Sequence, residues 1–422
     1  MYKSSLTLVA IFATSPCIAS NDTGQAPISL TLSAAEELLV TRNRDLIAAR
    51  QALEGALADR VTAAQRPNPT VSLSTLSIDA RRVGAVQSGE KSVDTALQIS
   101  QSIERGGKRD LRSAAADHNA LAATSDLEET LRQQKLLLRQ TYFDVHLAQE
   151  RVAIGRATVM AYRRTLDAVY VRLKSGDIAS ADVSRISVDA LRSENDLQQS
   201  LADLDRARVG IAYLIGLEAR AAGIEANDPW PELAPLPEAP ANDTLDLRPS
   251  VRAAVERANA ASKAAQLALA QRSRDVTVFA QFETFPGQPQ NKTIGFGVSV
   301  PLFLNHSYEG EIRRAESDRY AAQDNLERVR ALARAEIARA GTDLSSARER
   351  VDRFDRQLLA SAHKVAEASE FAYQRGALGV MDLLDARRSL NATQLDSAGA
   401  HADYAKALAA WRAACGESGA ER

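Results

Sequence analysis

The sequence contains two copies of one long module, about 200 residues apart. The first copy reads YVRLKSGDIASADVSRISVDAL at 170–191, and the second reads FAYQRGALGVMDLLDARRSL at 371–390. Residues that match at a spacing of 200 are Gly176 with Gly376, Asp182 with Asp382, and Gly216 with Gly416. Two tandem copies of this length predict a repeat or pseudo-symmetric architecture rather than an ordinary globular enzyme.

Composition favours long helices over compact cores. Aromatic residues make up only 5% of the 422 residues, and Ala, Leu, Arg, Glu, Asp and Gln are abundant. The formal net charge is −2, so no basic footprint points to nucleic acid as a partner.

The N-terminus has the plan of a secretory signal peptide. One lysine precedes an apolar stretch and then small residues, which predicts a signal peptide at 1–19 with cleavage after Ala19 or Ser20. Lipidation of Cys17 is an alternative, although Pro16 stands where a small residue is expected. Cleavage would leave Cys415 as the sole thiol, which excludes an intramolecular disulfide framework and a cysteine zinc site.

Each copy reads as a helix, two strands, a long helix, a tight turn and a returning helix. We expect a first repeat at 20–226, a Pro-rich connector at 227–247, a second repeat at 248–416 and a tail at 417–422. The first repeat is predicted to contain helices 33–65, 108–174 and 180–216 and strands 70–78 and 93–103. The second is predicted to contain helices 248–272, 307–375 and 380–413 and strands 276–285 and 294–303. Ser33 with Glu36 predicts a capping box at the start of the first helix.

The long helices carry apolar rows with a seven-residue period, which is typical of coiled-coil packing along a seam. The row in helix 108–174 is Leu131, Leu138, Val145, Val152, Val159, Leu166 and Leu173. The row in helix 307–375 is Ile337, Leu344, Val351, Leu358, Val365 and Ala372. The 67 residues of the first long helix would span about 100 Å at 1.5 Å per residue.

The four strands alternate apolar with small or polar residues, in the manner of transmembrane β-barrel strands. Five phenylalanines are expected to form a lipid-facing band: Phe279, Phe282, Phe285, Phe296 and Phe303. A small soluble sheet is the alternative. Four strands cannot close a barrel and an open edge is not tolerated in lipid, so a membrane form needs several chains. Three copies would give twelve strands. The predicted fold class is therefore an α+β membrane protein, with a long coiled-coil-like α-helical barrel and a 12-stranded transmembrane β-barrel closed by trimerisation.

Four segments resemble the TolC-type outer-membrane efflux protein family: RPNPTVSL at 66–73, VSVPLFLN at 298–305, YQRGALGVMDLLDARRSLNATQLD at 373–396, and QSIERGGKR at 101–109. The last resembles the cobalt-zinc-cadmium resistance branch. The resemblance implies a passive exit duct in the outer membrane of a Gram-negative bacterium, projecting into the periplasm. It also implies a homotrimer, outer-membrane lipid as surroundings, a periplasmic adaptor protein and an inner-membrane pump of the resistance-nodulation-division type. The implied cargo is divalent heavy-metal cations, with drugs or secreted polypeptides as alternatives.

The resemblance also assigns expected roles to particular residues. Acidic side chains at the periplasmic entrance are expected to attract cations, and Tyr373 and Arg375 to hold the entrance closed. The acidic residues are Asp182, Asp382 and Asp385. Asp in a first helical turn also complements the helix dipole, which is the plainer explanation for Asp382.

Glycines mark the turns and the junctions of this plan. Gly176 and Gly376 are expected to cap helices and to form the tips that meet the adaptor. Gly106, Gly107, Lys108 and Arg109 form a predicted strand-to-helix junction. No catalytic triad order, nucleophile elbow or Walker motif is present, so we predict no enzyme activity, no cofactor and no dedicated metal site. A periplasmic coiled-coil scaffold without a pore is the rival from another class.

Overall fold

The computed structural model describes residues 28–76, 94–235, 242–285 and 291–416. The helices are α1 (Leu32–Arg42), α2 (Arg44–Ala64), α3 (Lys108–Lys174), α4 (Ser180–Ile215), α5 (Pro249–Ala270), α6 (Glu309–Arg353), α7 (Leu359–Gln374) and α8 (Val380–Cys415). The strands are β1 (Ile28–Leu30), β2 (Thr70–Leu76), β3 (Asp94–Ile103), β4 (Ile224–Ala226), β5 (Val276–Thr284) and β6 (Lys292–Ser299). The predicted signal peptide with Cys17, the loop at 77–93 and the tail at 417–422 lie outside the described residues.

Two long antiparallel helix pairs dominate the fold: α3 with α4, and α6–α7 with α8. Their seams follow the seven-residue rows, with Leu138, Val145 and Val152 of α3 buried against Leu204 and Ile211 of α4. The bounds of α3 equal the predicted ones. No helix among the described residues is long and apolar enough to cross a membrane.

The helix predicted at 33–65 is two helices, because Asn43 interrupts it. Asn43 has extended backbone geometry, and its side chain accepts hydrogen bonds from the backbone N–H groups of Asp45 and Leu46. It therefore ends α1 and caps α2. The predicted capping box at Ser33 is also wrong, since Thr31 is the cap and accepts from Ala34 N at 3.3 Å.

The helix predicted at 307–375 begins at Glu309 and contains a π-helical turn at Phe354–Leu358. A π turn holds one residue more than an α turn, so the apolar row slips by one position beyond it. Leu358 and Val365 of the predicted row are 49% and 56% exposed, whereas Ala366 and Tyr373 are buried. The row seen in the structure thus continues one residue later than the sequence period predicts.

A four-stranded antiparallel sheet joins the two repeats in the order β2-β3-β5-β6. Across it, Val71 pairs with Ile99, Ile99 with Ala280, and Ala280 with Phe296. The strand predicted at 294–303 ends instead at Ser299, just before Pro301, which lacks a backbone N–H. The strand predicted at 276–285 ends at Thr284. The last residues of the predicted strand 70–78 lie outside the described part of the chain.

A small parallel sheet of β1 and β4, which the sequence analysis missed, lies beside the helices. The chain then runs from 227 to 235 as a strap across the helix pairs. Tyr142 of α3 accepts hydrogen bonds from the N–H groups of Asn227 and Asp228, at 3.2 and 3.0 Å. Tyr404 of α8 accepts from Ala234 N at 3.2 Å. The connector predicted at 227–247 thus ties the first helix pair to the second.

The Tyr142 hydroxyl is the main attachment point of this strap. It also lies 3.0 Å from the carbonyl oxygen of Leu30 and 3.0 Å from a carboxylate oxygen of Asp228, to which it donates its proton. Burial and the Asp228 carboxylate raise the pKa of Tyr142 to about 12. The hydroxyl therefore stays neutral at physiological pH.

We expect Tyr142→Phe to lower the free energy of unfolding by about 1–3 kcal/mol, because the half-buried N–H of Asp228 loses its acceptor. The N–H of Asn227 keeps the carbonyl oxygen of Leu30, at 3.2 Å. Thermal unfolding followed by circular dichroism measures the effect. Tyr213→Phe is the matched control, since Tyr213 is exposed and its hydroxyl has no hydrogen bond within the described residues. Equal stability of the two variants would contradict the role given to Tyr142.

Candidate functional site: the hairpin tips and the two-faced sheet

Both long helix pairs turn at the same kind of glycine cap. Gly176 and Gly376 have φ of 79° and 73°. After Gly176 the N–H of Asp177 donates to Arg172 O at 2.9 Å, and after Gly376 the N–H of Ala377 donates to Ala372 O at 2.9 Å. These bonds define a Schellman cap at each tip, so the two repeats share the same hydrogen bonds at their turns.

Gly376→Ala should destabilise the tip by about 1–2 kcal/mol, because an L side chain is strained at this positive φ. No atom lies within 4 Å of the added methyl group, so backbone conformation alone sets this cost. Gly399→Ala is the opposite control within α8. Its methyl group also meets no atom within 4 Å, and alanine favours a helix by about 0.5–1 kcal/mol. Thermal unfolding should therefore move in opposite directions for the two variants.

The predicted acidic residues lie at the surface of the tips. Asp382 and Asp385 are exposed in the first two turns of α8, and Asp385 pairs with Arg388 at 3.1 Å. In the first repeat, Asp182 pairs with Arg185 at 3.4 Å. The two copies therefore present different charge at equivalent places.

Tyr373 and Arg375 contact different parts of the hairpin tips. Tyr373 is 8% exposed in an apolar cluster between the tips, and the guanidinium carbon of Arg172 lies 5.4 Å from its ring centroid. The Tyr373 hydroxyl has no hydrogen-bond partner among the described residues. Arg375 instead lies over Phe371 of its own hairpin, 5.1 Å from the ring centroid.

An ion pair that the sequence analysis missed joins the two hairpins near their tips. Asp189 of α4 is only 6% exposed, and its carboxylate accepts a 2.6 Å hydrogen bond from Arg388 of α8. This hydrogen bond raises the pKa of the Arg388 guanidinium. Burial, reinforced by the Asp189 carboxylate, raises the pKa of the neighbouring Tyr162.

Arg387 adds a second link between the hairpins. It donates to Glu370 of α7 and to Thr165 of α3. The only sequence signals for these links were an arginine pair within the tip motif, at 387–388, and an aspartate beside the apolar row of α4.

The strand-to-helix junction joins both repeats. Gly106 and Gly107 have φ of 74° and 67°, and Gly107 is the N-cap residue that precedes α3. The buried ammonium of Lys108 pairs with Asp275 at 2.9 Å, and Arg109 Nε donates to the carbonyl oxygen of Ala64 at 2.7 Å. The predicted junction residues therefore brace the base of the sheet.

The sheet has one apolar and one polar face. Side chains of one face are Val71, Leu73, Leu97, Ile99, Val278, Ala280, Phe282, Ile294, Phe296 and Val298. The opposite face carries Ser72, Ser74, Gln98, Ser100, Thr277, Gln281, Glu283 and Thr293. Phe279 is an aromatic exception on the polar face, because it pairs with Ser100 and Gly297, so its assignment to the lipid-facing band is wrong.

The apolar face is exposed in the single chain. Ile99 is 51% exposed and Phe296 is 82% exposed. Water-soluble domains rarely expose a contiguous apolar patch of this kind unless something covers it. Among the described residues, no group of three His, Cys, Asp or Glu side chains could hold a metal ion.

The sequence matches the family model "Outer membrane efflux protein" over residues 36–217 and 241–417. The chain belongs to the outer membrane efflux protein family. The description of the family, efflux across the outer membrane, makes its members transport proteins. The two matched segments correspond to the two repeats.

Two curated proteins are similar to this chain over two thirds or more of their own length. The cobalt-zinc-cadmium resistance protein CzcC of Cupriavidus metallidurans is 26% identical over 396 residues, which cover 90% of this chain and 91% of CzcC. The probable outer membrane lipoprotein SilC of Salmonella typhimurium is 25% identical, over 71% of this chain and 67% of SilC.

The fold is also that of a solved channel protein. CusC, in crystal structures concerned with folding and transmembrane channel formation, superimposes with a TM-score of 0.77. The match covers 92% of this chain and 93% of CusC, at 19% sequence identity. This structural similarity shows that the chain has the same fold as CusC.

Proposed function

We propose that this outer membrane efflux protein forms a trimeric exit duct through which a tripartite system exports divalent heavy-metal cations. The observation that carries the proposal is the sheet, whose exposed apolar face backs onto a polar face. A strand pattern of this kind suits a wall between lipid and water.

Trimerisation follows from the sheet edges. Within the described residues, β2 and β6 each pair on one side only. Unpaired backbone groups are not tolerated in a bilayer, so the edges must pair with other copies. Three chains supply twelve strands, and with them six helix hairpins that continue the barrel as a helical tube in the periplasm.

The tips of these hairpins form the proposed entrance. The turns at Gly176 and Gly376 meet the adaptor protein, beyond which lies the inner-membrane pump. Asp382 and Asp385, together with Asp182, present carboxylates to entering cations, and a trimer repeats them three times. Tyr373 and Arg375, with the Asp189–Arg388 link, hold the entrance closed until the adaptor docks.

The metal cargo is supported by similarity to the cobalt-zinc-cadmium resistance branch. The run GGKR at 106–109 resembles the cobalt-zinc-cadmium branch, and the relative CzcC carries that resistance in its name. The protein resides, on this proposal, in the outer membrane of a Gram-negative bacterium.

A growth panel of a strain lacking the gene tests the cargo. Zinc, cobalt, cadmium and nickel are compared with a set of amphiphilic drugs. Selective hypersensitivity to the metals is the expected result, reversed by the intact gene. Hypersensitivity to drugs alone would retain the duct and replace its cargo. Fractionation of the protein as a soluble periplasmic monomer would instead favour a scaffold without a pore.

A further inference from the structure

The apolar rows of the two central strands both end in an arginine. In β3 the row of Leu97, Ile99, Gln101 and Ile103 reaches Arg105 two residues later. In β5 the row that contains Val276 and Val278 begins two residues after Arg274. Ile103 pairs with Val276, so continuing the register by two residues places Arg105 opposite Arg274. Two cations are thus side by side at the helix-side margin of the apolar face.

The polar face of the sheet ends in two acidic residues, and basic side chains of α3 neutralise both of them. By the same register Glu104 lies opposite Asp275. Glu104 accepts hydrogen bonds from Arg112 at 2.7 and 3.1 Å, and Asp275 accepts one from Lys108 at 2.9 Å. The first turns of α3 therefore balance the charge on this side of the sheet.

Arg105 and Arg274 are not balanced in this way. Both side chains are exposed, and neither forms an ion pair with any described residue. The guanidinium carbon of Arg274 lies 5.7 Å from the ring centroid of Phe303. Since β3 and β5 are the central strands, the pair lies away from the edges at which another copy would join.

We propose that Arg105 and Arg274 bind the phosphate of an anionic phospholipid headgroup at the margin of the membrane. Adjacent guanidinium groups match phosphate oxygens in charge and geometry. The apolar face continuous with the pair accommodates the acyl chains, which selects a lipid over a free anion. The inference rests on the proposed insertion of the sheet into a bilayer. It assigns a lipid-binding role that the duct function does not require.

Native mass spectrometry of the detergent-purified full chain tests the site. The protein is titrated with phosphatidylglycerol and with phosphatidylcholine of the same acyl chains, with and without inorganic phosphate. The test variant is R105Q/R274Q, and R105K/R274K keeps the charge. The control R328Q/R334Q removes two exposed arginines from α6, about 30 Å or more along the helix from its start.

The wild type should bind phosphatidylglycerol more tightly than phosphatidylcholine. Each arginine near a membrane surface is worth about fivefold in affinity, so R105Q/R274Q should lose about 25-fold. R328Q/R334Q should keep the preference of the wild type. R105K/R274K should keep only part of it, because an ammonium retains the charge but not the forked donor geometry of a guanidinium. This last pair of results separates loss of charge at the site from misfolding.

Three results would overturn the inference. They are an unchanged lipid preference in R105Q/R274Q, an equal loss in R328Q/R334Q, and displacement of phosphatidylglycerol by submillimolar inorganic phosphate. Flotation with phosphatidylcholine liposomes tests separately whether the sheet inserts into a bilayer at all. A wild type that floats but shows no anionic preference overturns the lipid site alone, whereas one that does not float overturns both.

Discussion

Replacing Ile99 by arginine should abolish assembly of the protein into the outer membrane. Ile99 lies in the central strand β3, on the exposed apolar face, between Val71 and Ala280. An arginine on the lipid face of a barrel costs about 2–4 kcal/mol near the bilayer midplane. Three copies would introduce three such charges into one barrel. The measurement is the amount of heat-modifiable trimer in outer-membrane extracts.

Gln98→Arg is the matched control for this prediction. Gln98 is the preceding residue of the same strand and lies on the polar face, opposite Ser72 and Gln281. The same side chain is introduced one residue away, so strand propensity and net charge change alike in both variants. Assembly of both variants at wild-type levels would show that the apolar face does not meet lipid. Loss of both would show general intolerance of β3 to arginine.

The periodic spacing of apolar residues predicted the long helices and the strands well, because the packing of these elements requires that spacing. A helix of 67 residues, α3, needs an apolar row along its seam, and the heptads recorded it from Leu131 to Leu173. The strands showed their alternation because the two faces of the sheet differ in polarity. Caps and breaks were harder, as at Asn43, where one side chain satisfies two N–H groups.

The slip at the π turn was beyond sequence reasoning. The residues of the predicted row, Leu358 and Val365, are followed directly by Leu359 and Ala366, which are also apolar. Two adjacent rows thus satisfy the same period, and only the packing against α8 decides between them. The consequence reaches the candidate site, because the slip brings Tyr373 into the buried cluster at the tips.

Contacts between segments far apart in the sequence also could not be predicted from the sequence alone. Asp189 and Arg388 are 199 residues apart and belong to different repeats. Their positions do not correspond under the spacing of 200 that relates Gly176 to Gly376. The duplication therefore predicted where each hairpin turns but could not predict how the two hairpins bind each other.

A second large effect is expected when the ion pair between Asp189 and Arg388 is broken. Arg388→Ala should destabilise the hairpin tips by about 2–4 kcal/mol, because it leaves the buried Asp189 carboxylate without its close partner. Arg192, whose nearest nitrogen lies 4.0 Å from Asp189, is too exposed to replace it. We expect faster proteolysis at the tips, because they lose a link between hairpins. If the proposed entrance is closed by this link, conductance in planar bilayers should also rise.

A double-mutant cycle separates the link from general damage. Asp189→Asn combined with Arg388→Ala should be more stable than Arg388→Ala alone, because no charge then remains buried. Arg192→Ala is the control and should cost no more than about 0.5 kcal/mol, the value of an exposed ion pair. Conductance should stay raised in the double variant, because the link between the hairpins is absent from it as well. Wild-type conductance in Asp189→Asn alone would mean that Arg388 closes the entrance by a contact other than Asp189.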